Sequence, residues 1–231
     1  MTVVFETMRA TIRDGALRIA LLPWHLERLA RSVRALGGTA FGIAEVEQLL
    51  GDLRPDDTAT FVLRLTASIQ DGAVGLGVER RPLVAPPRPL RLLPIEDLPS
   101  PVAGRRDLKL AERSDWDVAE QRARSVAADE VLTLRADGTV GETSRGNLFA
   151  QVGDRFVTPP ADGTLLPGVA RTVLLHRLRS IGASVDERPL HVEELDRARL
   201  WSTNAVHGPR PAVLVGRESE PFGSDPLAAL W

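Results

Sequence analysis

The pattern of apolar and polar residues over 2–22, on both sides of Asp14-Gly15, predicts two strands joined by a tight turn. At Pro23 the period changes. Over residues 23–38, Leu26, Leu29, Ala30, Val33 and Leu36 recur at the spacing of one helix face, with Pro23 in the first turn and Gly37-Gly38 at the end. A second helix is predicted over 42–53, then strands over 58–68 and 72–80. The stretch "RRPLVAPPRPL" from Arg80 to Leu90 is proline-dense without periodicity and reads as a linker, dividing the chain into halves 1–85 and 86–231. The second half predicts a strand over 90–94, another around Leu108, and a helix over 115–128. Strands then flank Gly141–Ala150, and a helix over 166–182 turns Val169, Val173, Leu174, Leu178 and Ile181 inward; late strands cover 199–206 and 211–216. Helices and strands mix without βαβ alternation, so the expected class is α+β in two halves, not a doubly wound sheet.

Composition narrows the function more than the fold. A net charge of −2 with interspersed signs offers no basic field for nucleic acid. Cysteine is absent, which excludes thiolate nucleophiles, disulfides and Cys-ligated zinc, and the four histidines lack metal-ligand spacing, so no metal is expected. Neither a signal-like N-terminus nor a membrane-length apolar run is present, and the expectation is a cytoplasmic protein with no membrane partner. Tyrosine is also absent, and Lys109 is the sole lysine. Chemistry that needs an amine able to lose its proton has one candidate.

Lys109 lies between Leu108 and Leu110. On an edge strand it would face solvent; desolvated by its neighbours, it would favour the neutral amine that a carbonyl-trapping lysine needs. In "GETSRGNLFA", Glu142 enters a turn between two apolar strands. It is either a surface hairpin residue or a buried carboxylate that requires a cationic or protonated partner. Phe5, Thr7 and Arg9 share one face of the first strand, and Arg9 offers a bidentate fork for a carboxylate. Gly168 and Val169 open a helix whose first amides and positive dipole end suit an anion.

Several motifs in order, "FETMR", "HLERLARSVRALG", "LKLAER", "ADEVLTLRADGTVGETSRGNLF", "TPPADGTLLPGVART" and "STNAVHGPRP", resemble the class IV, fold-type IV, pyridoxal-phosphate enzymes over nearly the whole chain. That family includes branched-chain and D-amino-acid aminotransferases and 4-amino-4-deoxychorismate lyase. The resemblance implies a two-domain α+β fold, a homodimer acting on a small molecule, and pyridoxal 5′-phosphate carried by Lys109. Glu142 would then face the pyridine nitrogen, and the turn that includes Asn147 would wrap the cofactor. Arg28, Val169, Ala170 and the Asn204-Ala205 loop would hold the phosphate, although periodicity alone places Arg28 on the polar helix face. Thr7 corresponds to a proton-relay threonine, and Phe5, Arg9, Arg113, Arg145 and Arg210 are expected to meet substrate. Five residues past the lysine, where branched-chain aminotransferases carry Tyr, stands Ser114, and Arg113 precedes it. The pattern is thus more similar to aminodeoxychorismate lyase, which yields 4-aminobenzoate, a folate precursor, and pyruvate. A branched-chain or D-amino-acid aminotransferase is the alternative. A degenerate binding subunit would have lost Lys109 or Glu142, and both are present. The chain begins almost on the "FETMR" strand, so the resemblance implies a short N-terminal region and a more open pocket.

Overall fold

The structure is a computed structural model that describes residues 1–51, 59–85, 89–99, 105–217 and 225–231. The ends of the expected helix over 42–53 and of the strand over 58–68 lie partly outside these, as do residues 86–88 of the proline-dense stretch. The chain forms two compact units, one of Met1–Ala85 with Leu108–Glu112, the other of Pro86–Asp107 with Arg113–Trp231. Lys109 therefore belongs to the first unit, where a cut at 85 alone would have placed it in the second.

In the first unit β1 (Thr2–Arg13) pairs antiparallel with β2 (Ala16–Ile19) and with β3 (Thr60–Gln70). β3 in turn pairs with β4 (Ala73–Pro82), giving the order β2-β1-β3-β4. Asp14 and Gly15 at φ 54° and 72°, and Asp71 and Gly72 at 52° and 82°, supply the left-handed pairs that two-residue hairpin turns demand. One sheet face is buried by Val4, Met8, Ala10 and Ile12 of β1 and by Phe61, Leu63, Leu65, Ala67 and Ile69 of β3. Against it pack α1 (Leu22–Ala35) and α2 (Ile43–Gly51). The buried stripe of α1 is His25, Arg28, Leu29, Ser32 and Val33, whereas Leu26, Ala30 and Leu36 are only half-buried. The stripe is thus rotated from the one that apolar spacing predicts. The expected strand around Leu108 is a short pairing with β1: Phe5 N donates to Lys109 O at 3.0 Å, and Ala111 N to Val3 O at 2.8 Å.

The second unit is built on an eight-stranded sheet of order β10-β9-β8-β11-β12-β5-β6-β7. Its strands are β5 (Leu90–Glu96), β6 (Glu130–Leu134), β7 (Val140–Thr143), β8 (Asn147–Val152), β9 (Arg155–Thr158), β10 (Val185–Glu187), β11 (Arg199–Asn204) and β12 (Gly208–Leu214). β5 runs parallel to both β6 and β12, and β9 to β10; the other pairs are antiparallel. Leu92, Leu132, Val140, Leu148, Leu190 and Leu200 fill one core, while α4 (Val169–Ser180) closes a second through Leu174, Leu175 and Leu178 against Phe149 and Trp201. α3 (Ser114–Ser125) buries Ala119 and Ala123 against Val131. Ile181, expected inward, is 64% exposed: α4 ends at Ser180, and the chain leaves the helix period there. Among the described residues no helix is long and apolar enough to cross a membrane, and no group of His, Cys, Asp or Glu is arranged to hold a metal ion.

Candidate active site

In the second unit the turn between β7 and β8 gathers the chemistry. Residues alternate across a strand, so Glu142 and Thr143 point to opposite sides of β7. Glu142 Oε2 accepts the Leu166 amide at 3.2 Å, and its backbone is bracketed by Thr133 Oγ1, which lies 3.1 Å from Glu142 N and 3.2 Å from its carbonyl. Asn147 is buried and donates Nδ2–H to Leu166 O at 2.9 Å, so Leu166 links the carboxylate to the amide. A Cβ on Gly168 would come within 2.0 Å of Asn147 Oδ1, so no side chain fits between α4 and the turn. No side-chain hydrogen bond caps α4, whose first residues Val169 and Ala170 are buried; its leading amides present the donor end of a helix dipole. Asn204 Oδ1 accepts Val206 N at 3.1 Å and His207 N at 2.9 Å, shaping the loop that includes Ala205. Glu142, Asn147, Val169, Ala170, Asn204 and Ala205 thus all belong to one unit.

Three arginines expected to meet substrate are engaged elsewhere in that unit. Arg145 chelates Glu120 of α3, with Nη2–Oε2 at 2.6 Å and Nε–Oε1 at 3.2 Å. Arg113 donates to Ser144 O at 2.6 Å and lies 3.6 Å from Glu120. Burial pushes the Glu120 carboxyl up, but the bond and charge of Arg145 and the charge of Arg113 outweigh it and hold the group below its ordinary range. Arg210 is 3% exposed and donates to Glu130. A buried guanidinium neutralised by a buried carboxylate is an ion pair internal to the unit.

In the first unit Phe5 is buried, Thr7 is half-buried and Arg9 is exposed. The face they share is therefore the open one. Lys109 Nζ lies 4.9 Å from the centre of the Phe5 ring, and the Arg64 guanidinium lies 4.0 Å from the same ring. On the opposite face of β1 sits a group that alternation did not single out. Glu6, 1% exposed, accepts Arg28 Nε at 2.8 Å and Nη2 at 2.5 Å, and His25 Nδ1 at 2.6 Å. Arg28, placed on the polar face by periodicity, is buried in this network. Burial raises the Glu6 carboxyl, yet the Arg28 charge and the bonds from His25 and Arg28 bring it down to about 2. Burial lowers His25, only partly offset by Glu6, and the positive charges of Arg28 and Lys109 lower it further. A neutral imidazole donating Nδ1–H leaves Nε2 as a bare lone pair, which is consistent with that buried nitrogen having no hydrogen-bond partner. The sequence signal was a carboxylate in the buried phase of a strand, ahead of a helix with His and Arg three apart.

Residues 3–215 match the model of the amino-transferase class IV family. An aminodeoxychorismate lyase of Bacillus subtilis is 27% identical over 222 residues, 88% of this chain and 74% of that protein. A mitochondrial branched-chain-amino-acid aminotransferase of Arabidopsis thaliana is 38% identical over 91 residues, but these are 38% of this chain and only 24% of the relative. The fold is similar to that of a hypothetical aminotransferase from Mycobacterium tuberculosis in its PLP-bound form, with a TM-score of 0.81 at 20% identity, covering 99% of this chain and 85% of the other. With its motifs in order along a two-unit α+β fold, the chain belongs to the class IV aminotransferase family.

Proposed function

We propose that the protein is a pyridoxal-phosphate-dependent lyase that converts 4-amino-4-deoxychorismate, or a closely related chorismate-derived amine, to 4-aminobenzoate and pyruvate. The observation that carries this reading is the open face of β1, where Thr7 and Arg9 stand beside Phe5 and the Phe5 ring stands beside Lys109. A hydroxyl, a carboxylate fork and an amine on one strand pairing suit removal and return of a proton on a substrate that bears carboxylates. The likeness to an aminodeoxychorismate lyase over 88% of this chain supports it.

The residues fit the cofactor. The uncapped start of α4, with Val169 and Ala170, suits a phosphate dianion, and Asn147 packs against Gly168 where the helix begins. When bound, pyridoxal phosphate supplies an electron-withdrawing ring that makes the proton on the nitrogen-bearing substrate carbon removable. Lys109 Nζ holds the cofactor, and as a free amine it takes that proton. Glu142 would keep a proton on the ring nitrogen, while the Asn204-Ala205 loop would complete the phosphate grip begun at Val169 and Ala170. Arg9 holds a substrate carboxylate. The bond from the neighbouring ring carbon to the enolpyruvyl oxygen would break. Thr7 Oγ1 or Lys109 Nζ would return the proton to the methylene carbon of the released enolpyruvate, so substrate equals 4-aminobenzoate plus pyruvate with no water consumed. The active assembly is a homodimer, which sedimentation of the active species would check.

Offering 4-amino-4-deoxychorismate, and separately pairs of amino acid and 2-oxo acid, tests the reading. Pyruvate release that outpaces amino transfer is expected, together with a yellow protein that borohydride fixes at Lys109 and a dead Lys109→Ala variant. The second reading, a branched-chain aminotransferase, is favoured by the 38% local identity to the Arabidopsis enzyme. Amino transfer without pyruvate release would establish it in place of the first.

A further inference from the structure

Beneath the turn that carries Glu142, four strands of the second unit contribute a buried polar chain. Its members are Arg210 of β12, Glu130 of β6, Ser202 of β11 and Thr143 of β7, none more than 3% exposed. Arg210 Nη2 donates to Glu130 Oε1. Ser202 Oγ donates to Glu130 Oε2 at 3.1 Å, and Thr143 Oγ1 lies 2.9 Å from Ser202 Oγ. Thr143 Oγ1 also donates to Gly146 O at 3.1 Å, the same oxygen that accepts the Thr143 amide at 2.9 Å.

Counting protons gives this chain a direction. A carboxylate only accepts, and each hydroxyl has one proton. Ser202 therefore spends its proton on Glu130, and its oxygen is left to accept from Thr143. The Thr143 proton is then shared between Ser202 Oγ and Gly146 O, whose carbonyl has a second lone pair beside the one taken by the Thr143 amide. From Thr143 the contacts run through Ser202 to the Glu130–Arg210 pair. A second anchor lies at the other end of the turn, where Thr203 Oγ1 donates to Asn147 O at 3.1 Å.

Stability alone gives no reason for this arrangement, because a buried ion pair with hydroxyls is often replaced by apolar residues at no loss. Its placement does give one. Fixing Thr143 on one side of β7 fixes the rotation of the strand, and the rotation of the strand aims Glu142 on the other side. We propose that Thr143, Ser202, Glu130 and Arg210 are positioning residues that aim the Glu142 carboxylate at the cofactor's ring nitrogen. This rests on the role given to Glu142 under the proposed function.

Two variants cut the chain at different points: Ser202→Ala, and the isosteric Thr143→Val. A third, Thr143→Ser, keeps the hydroxyl. The first readout is cofactor-free: exchange of the Leu166 amide proton, which Glu142 Oε2 accepts, measured by NMR on the apoprotein. About tenfold faster exchange is expected in Ser202→Ala and Thr143→Val, with Thr143→Ser near wild type, since loss of an outer partner costs tenfold or more in other preorganised sites. The second readout is the 15N shift of the ring nitrogen in protein loaded with labelled pyridoxal phosphate, which should move toward the unprotonated value in the same two variants. The third is a double-mutant cycle: a roughly tenfold loss of turnover in Ser202→Ala that falls below about twofold when Glu142 is already Gln. Folded Ser202→Ala and Thr143→Val proteins with wild-type Leu166 exchange and ring-nitrogen shift would overturn the proposal. So would equal losses with and without Glu142. If Ser202→Ala does not fold, the Thr143 pair decides by the same criteria. A Glu142→Gln protein with normal turnover would instead remove Glu142 from the mechanism, which is a failure of the proposed function.

Discussion

Each unit hides an ion pair behind the strand that carries its proposed chemistry, and the two are built differently. In the first, Glu6 is gripped side-on by Arg28 and again by His25, both from α1, about twenty residues along the chain. In the second, Glu130 takes Arg210 from 80 residues away and Ser202 from 72, each on a different strand. The first network is a local strand–helix staple that contains a titratable ring. The second contains no imidazole and laces β6, β7, β11 and β12 together. A staple stabilises its own unit and responds to pH; a lacing fixes the register and aim of strands whose sequence positions are far apart.

The largest effect expected from breaking this contrast is Glu6→Ala. It leaves Arg28 buried without its carboxylate and removes the acceptor of His25, so a loss of about 4–5 kcal/mol is expected. Urea unfolding followed at Trp24, the one tryptophan in the first unit's span of sequence, measures it. Glu130→Ala removes two bonds instead of three and should cost about 3 kcal/mol, read from the tryptophans of the second unit. Equal losses would erase the distinction.

Acid provides the next test. The folded Glu6 carboxyl lies at about 2, below its ordinary 4.5. The unfolded chain therefore binds the proton first, and the stabilisation is complete above pH 4.5 and lost as pH falls toward 2, on the order of 3 kcal/mol in all. His25 is also lowered, from 6.5, because burial disfavours its charged form. Its contribution is complete above pH 6.5 and declines as pH falls below that. First-unit stability should fall in two limbs on acidification, and His25→Asn should remove the upper limb while leaving the lower. A single limb in the wild-type protein would show that His25 does not titrate with folding. Least of all should the exposed apolar residues matter: Ile181→Thr and Val118→Thr are expected to stay within about 0.5 kcal/mol by the same unfolding measurement.

Local elements were legible wherever neighbours in sequence decide the conformation. The Asp14-Gly15 turn forms as expected because both residues tolerate left-handed φ and the flanking strands alternate. α4 follows its apolar spacing, except that Ile181 continues a period which the helix itself does not. The short strands β9 and β10 went unseen, because three or four residues carry too little pattern to separate a strand from a loop. The order β12-β5-β6, with β5 parallel to both neighbours, depends on crossovers that no local signal records.

By itself the sequence determined the α+β class, the Asp14-Gly15 hairpin of the first unit, the single amine at Lys109 and the motif order that marks the family. What only the tertiary structure decided is which charges are spoken for. Arg28 reads as a solvated helix residue until Glu6 on β1 is placed beneath it, and nothing along the chain pairs Arg210 with Glu130 until the sheet brings β12 and β6 near each other. Glu120, silent in the sequence, gathers Arg113, Arg124 and Arg145 around one carboxylate. The physical reason is common to all three. Burial makes a charge expensive unless an opposite charge meets it, and the residue that meets it comes from another element whose distance along the chain carries no information about its distance in space.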